Sequence, residues 1–177
     1  MLEKWKVLVV VDESDAGKKA VDCAVDLSLS GFNIKPYLMY VHDTEPIPIP
    51  SEKEEKKFYD SLRAKAKKTL FVAIEKLKET GLDFEVVGHY FGIAGEEIER
   101  KERELKIDMI IIGTEKPSLF KRLFGENYAE RAIFETKAPV LVVKPEYEPK
   151  IKKLIDTRAL TPVEIVRRKI EREGVSI

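Results

Sequence analysis

The sequence predicts an α/β protein, a doubly wound five-stranded parallel sheet with helices on both faces and a helical tail. Three observations carry this prediction. Short runs of β-branched and long apolar residues, each stopped by a breaker, recur along the chain, as strands buried on both faces do. Segments with helical spacing alternate with these runs. The run Asp108-Met109-Ile110-Ile111-Ile112-Gly113 ends abruptly at its glycine, at the kind of strand end where open α/β sheets hold ligands.

Taken in order, Lys6 to Val11 reads as the first strand, ending at Asp12. Ser14 or Asp15 then caps a helix with Ala16, Ala20, Ala24 and Leu27 inward, and Gly31 stops it. Ile34 to Val41 reads as the second strand. The prolines Pro46, Pro48 and Pro50 make the following stretch an extended loop. Ser51 and Glu54 form a capping-box signature for a long helix. Its expected stripe is Phe58, Leu62, Leu70, Ile74 and Leu77, and Gly81 ends it. Phe84 to Phe91 is the third strand and Ala94 to Leu105 the third helix, with Glu96 and Glu97 favouring the helix dipole. Met109 to Ile112 is the fourth strand. Asn127 to Thr136 fits a short helix, and Pro139 opens a last strand through Val143. Strands alternating with helices in this way require right-handed crossovers.

The domain is expected over 1–144, leaving 145–177 as an extension. In that extension Thr161-Pro162-Val163-Glu164 signals a helix start and Gly174 a stop, so a helix is expected at about 162–173. A lone helix of that length is marginal in water, so it is expected to dock on its own domain, a second subunit or a partner.

Composition narrows the function. The chain has 177 residues, 36% charged, with 32 basic and 32 acidic side chains. That balance argues against a general nucleic-acid or anionic-membrane binder. There is no Gln and only Asn33 and Asn127 among asparagines, beside many Lys and Glu, a bias of heat-adapted proteins. Cys23 is the single cysteine and reads as a small core residue in a reducing compartment. No apolar run reaches the length of a membrane span and no signal-peptide core is visible, so a cytoplasmic location is expected. His42 and His89 lie on different elements and share no ligand spacing with Cys23, so no metal site is expected. No nucleophile elbow, Gly-Lys-Ser/Thr phosphate loop or Cys–His pairing appears, and no catalytic residue is assigned.

The order of motifs resembles the universal stress protein family. It rests on Val9-Val10-Val11-Asp12-Glu13-Ser14, on Gly92-Ile93-Ala94-Gly95-Glu96-Glu97-Ile98, and on Ile112-Gly113-Thr114 followed by a basic loop, a helix and Ala138-Pro139-Val140-Leu141-Val142-Val143-Lys144. Together these span residues 4 to 144. The resemblance implies a strand order of 3-2-1-4-5, with Asp12 and Gly113 facing each other across the crevice at the reversal. It implies a candidate nucleotide site at Asp12, Val41, Gly113, Thr114, Lys116 and Asn127, with ATP or AMP as the possible ligand. It also implies a homodimer formed through the last strand, Val140–Val143.

Members that bind ATP carry a loop of Gly, two residues, Gly, nine residues, Gly, then Ser or Thr. Counted from Gly113, the second glycine falls on Lys116, the third on Glu126 and the hydroxyl residue on Asn127. A slip of one residue brings Gly125 into the third place, still followed by Glu126. A side chain forced into a left-handed position costs roughly 1–2 kcal/mol. A carboxylate ~4 Å from a phosphate charge costs up to about 4 kcal/mol at an effective dielectric near 20. Lys116, Lys121 and Arg122 offset part of this only as flexible point charges. The expectation is therefore a non-enzymatic regulatory stress protein without tight ATP binding. The alternative is an adenine-nucleotide switch built on Asp12 and Gly113, and a slow nucleotide hydrolase ranks behind both.

Overall fold

The computed structural model describes residues 3–43, 51–113 and 136–150. The elements run β1 (Trp5–Val10), α1 (Asp15–Leu29), β2 (Ile34–Asp43), α2 (Glu52–Thr80), β3 (Glu85–Gly92), α3 (Ala94–Leu105), β4 (Met109–Gly113) and β5 (Val140–Val143). The strands form one parallel sheet in the order β3-β2-β1-β4-β5. The sheet therefore reverses between β1 and β4, as the resemblance implies. The short helix expected at 127–136 falls almost wholly outside the described residues, as do Thr114, Lys116, Asn127 and the tail helix at 162–173.

Local chemistry explains the element ends. Ser14 caps α1 by accepting from the Gly17 amide at 2.9 Å. Ser51 accepts from the Glu54 amide, the N-cap half of a capping box, while its hydroxyl rather than its backbone N–H donates to the Glu54 carboxylate. Gly81 closes α2 at φ +70°, a left-handed position that glycine holds without penalty.

Right-handed crossovers place α1 and α2 on one face of the sheet and α3 on the other. Under α3, Leu8, Tyr37, Met39, Ile98, Ile107 and Ile110 form a buried cluster that Val41, Val87 and Tyr90 extend. Buried Glu102 of α3 accepts from the amides of Lys137 and Ala138, both at 2.9 Å, and so fixes the entry to β5. The compact unit runs from Met1 to Tyr147. Past β5, Lys19 of α1 donates to the Pro145 carbonyl, and the Tyr147 hydroxyl donates to buried Asp26.

Two departures from the sequence expectation matter for function. Along α2 the fully buried positions are Ala66, Leu70, Ala73 and Leu77, so Phe58, Leu62 and Ile74 are only partly covered. The helix has 29 residues, about 43 Å at the usual rise, and its buried positions occupy only the second half. In β3 the pairing steps from Leu38↔Val86 to Met39↔Gly88, which leaves Val87 as an extra residue beside Gly88 at φ +121°. The bulge swaps the faces of the residues after it, sending His89 and Phe91 to the side occupied by α2.

Candidate functional site

The site starts from the carboxyl ends of β1, β2 and β4. Val10 pairs with Ile112 and with Met39, so the residues just beyond these strands gather at one edge. Asp12 Oδ1 accepts from the Ser14 amide at 2.8 Å and from the Ser14 hydroxyl at 2.5 Å. One carboxylate oxygen thus shapes the strand-to-helix turn, and the serine it orients caps α1. Gly17 lies against this carboxylate: a Cβ there would overlap Asp12 Oδ1.

Gly113 is buried at the end of β4, and a Cβ on it would overlap the Ala16 carbonyl and the Gly17 nitrogen. Its glycine identity therefore has a packing cause, the direct approach of the first turn of α1. Asp12 and Gly113 each lie against the first turn of α1, Asp12 beside Gly17 and Gly113 beside the Ala16–Gly17 backbone. Val41 packs toward the cluster beneath α3, so its backbone rather than its side chain is what the crevice receives from β2. Of the six candidate residues, Asp12, Val41 and Gly113 are described, at or just beyond the carboxyl ends of β1, β2 and β4. Thr114, Lys116 and Asn127 lie outside the described residues.

Next to this crevice, on the α2 side, lies an aromatic cluster that sequence reading missed. His42 stacks on Phe91 with ring centroids 4.7 Å apart and planes 11° from parallel. Tyr40 lies 4.6 Å from His42, Tyr59 of α2 stands edge-on to Phe91 at 5.1 Å, and Arg63 covers the Phe91 ring. His89 approaches His42 to 6.2 Å, so the two histidines are neighbours on adjacent strands. No group of three or more metal-ligating side chains occurs among the described residues. His42 Nε2 is buried with no hydrogen-bond partner among the described residues. Burial first, and the charge of His89 second, hold the His42 imidazole below its ordinary value. The Tyr40 hydroxyl donates to Glu13 Oε2 at 2.7 Å. Burial, then that bond, pushes the phenol far above its usual range.

A cavity of about 570 Å³ opens between α1 and α2 beside Asp12 and Glu13. Lys18 and Val21 line it from α1, and Lys65, Lys68, Thr69, Val72, Ala73 and Lys76 from α2. At 100° per residue the α2 set falls on one face, a signal present in the sequence but overlooked because lysine-rich helix faces usually only meet solvent.

The fold, with its strand order reversing between β1 and β4, defines an α/β domain of the doubly wound class. The profile of the universal stress protein family matches residues 5–144, and the chain belongs to that family. It is 27% identical over 143 residues to universal stress protein MJ0531 of Methanocaldococcus jannaschii, covering 78% of this chain and 81% of that one. Among solved structures it is similar to the protein MJ0577, at TM-score 0.67 and 24% identity, covering 83% of this chain and all of the other. It is also similar to an Arabidopsis thaliana universal stress protein family protein solved with AMP bound. That match has TM-score 0.58 and 16% identity, covering 79% of this chain and 91% of the other. No helix among the described residues is long and apolar enough to cross a membrane.

Proposed function

We propose that this stress protein is a non-enzymatic, cytoplasmic regulator that works as a homodimer and takes an adenine mononucleotide with modest affinity. The observation that carries this reading is the sheet reversal between β1 and β4, where Asp12 and Gly113 both lie against the first turn of α1. AMP in the Arabidopsis relative supports the ligand class. The loop sequence supports the mononucleotide over the triphosphate, since Lys116, Glu126 and Asn127 stand where ATP-binding members carry glycines and a hydroxyl. The exposed flank of β5, where Leu141 and Val142 are each 37% accessible, supports the pairing surface. The Lys- and Glu-rich, glutamine-free composition supports a heat-adapted source.

Thermal unfolding with AMP and with ATP, each with and without magnesium, tests the ligand. A real site adds about 2.7 kcal/mol of stability at a hundredfold excess of ligand over Kd. AMP is expected to shift the transition, and ATP to shift it no further. A Lys116→Gly, Glu126→Gly, Asn127→Ser variant is expected to gain an ATP response. A wild-type shift with ATP that exceeds the AMP shift would show a working triphosphate cradle and overturn the reading.

A further inference from the structure

The cavity between α1 and α2 is lined by side chains of both charges. Asp12 and Glu13, just beyond β1, contribute carboxylates at the mouth, Asp12 also holding Ser14 and Glu13 the Tyr40 hydroxyl, while Lys65 and Lys68 on α2 contribute ammonium groups. The two remaining lysines of the lining have acidic partners on α1: Lys76 pairs with buried Asp22 at 2.5 Å, and Lys18 lies 3.7 Å from Asp15. Lys65 and Lys68 form no ion pair among the described residues, although they line the same space as Asp12 and Glu13. Both helices run from the mouth downward. Below the charged mouth come Thr69, Val21, Val72 and Ala73, and the Lys76–Asp22 pair closes the floor. From Thr69 to Lys76 the helix rises about 10 Å.

A simple anion would be drawn to the lysine wall and repelled by the carboxylates, and a simple cation the reverse. A zwitterion with an apolar side chain satisfies both walls and fills the space below them. We propose that this cavity is a binding site for a free apolar α-amino acid. Its ammonium group faces Asp12 and Glu13, its carboxylate faces Lys65 and Lys68, and its side chain lies between Val21 and the Val72–Ala73 wall. The volume is in the range of small-molecule sites. The site is distinct from the candidate nucleotide crevice among the described residues: Gly113 and Val41 do not line it, and Asp12 does.

Titration calorimetry of the full chain with phenylalanine, N-acetylphenylalanine, phenylalaninamide and glycine tests the assignment. Phenylalanine is expected to bind saturably. Removing either charge is expected to weaken binding roughly tenfold or more, as loss of a charge-assisted contact does, and glycine is expected to bind at least roughly tenfold more weakly for want of buried apolar area. Lys65→Glu with Lys68→Glu, both exposed helix positions, is expected to turn the preference toward phenylalaninamide. Lys67→Glu, an exposed residue of the same helix outside the lining, is expected to change affinity by no more than about twofold, since screening mutes distant surface charges. Equal binding of phenylalanine and N-acetylphenylalanine by the wild type would overturn the zwitterion assignment. Equal loss in Lys67→Glu would reduce the effect to bulk charge and overturn the site. Displacement of phenylalanine by AMP would merge the cavity with the crevice and overturn its independence.

Discussion

His42 illustrates what a single residue contributes at this edge of the sheet. Its ring is buried against Phe91 and Tyr40, with His89, Glu13 and Lys65 as the charged or titratable groups around it. Its folded-state affinity for a proton lies below the ordinary value of 6.5. The unfolded chain therefore takes up a proton first as pH falls, and stability contributed by the neutral ring is complete above pH 6.5 and lost below it. Melting curves from pH 8 to pH 5 are expected to show a steeper acid loss in the wild type than in His42→Phe. Parallel curves would show that the ring titrates alike in both states. From sequence alone this histidine looked solitary, because neither its strand neighbours nor the bulge that delivers His89 and Phe91 leaves a periodic trace. Asp12 was legible as a strand-end acid, but its engagement of both Ser14 groups depends on a turn geometry that residue spacing does not specify.

At the scale of elements, the decisive contact is the first turn of α1 lying on the end of β4. Strand and helix identities were readable because apolar periodicity and caps agree along each segment. Ser14, Ser51 and Gly81 all act where expected. The closeness of α1 to β4 was not readable, since it joins residues about a hundred positions apart through a missing side chain. Replacing Gly113 by Ala puts a methyl group into the Ala16–Gly17 backbone. The expected cost is about 1–3 kcal/mol, typical of forced overpacking, and urea unfolding without ligand measures it. Unchanged stability would mean that α1 yields easily, leaving the packing explanation of this glycine without support. The long helix α2 shows the opposite misreading. Its apolar residues suggested a stripe from Phe58 to Leu77, whereas burial is confined to Ala66, Leu70, Ala73 and Leu77, and Phe71 and Val72 remain exposed.

For the whole molecule, alternating strands and helices made the doubly wound class readable, and the resemblance added the order 3-2-1-4-5. Assembly is the property that belongs to this scale. β5 is four residues long and flanks β4 at the sheet edge, with Leu141 and Val142 part-exposed in the sheet formed by the described residues. Two such edges brought together by a twofold axis would cover both. Light scattering is expected to give the mass of a pair for the wild type and of a single chain for Leu141→Glu with Val142→Glu. A wild-type monomer would refute pairing, and a variant that still pairs would move the contact elsewhere.

The extra residue in β3 has a bearing on any alignment drawn across this protein. Up to Val86 the odd and even positions of the strand report on one pair of walls, and from Gly88 onward the parity is reversed. A homologue without Val87 would carry, at positions matched one for one, side chains destined for the opposite surface. Phe91 would then be compared with residues that never see the long helix, and a gap of a single letter would decide whether the comparison concerns the α2 face or the α3 core.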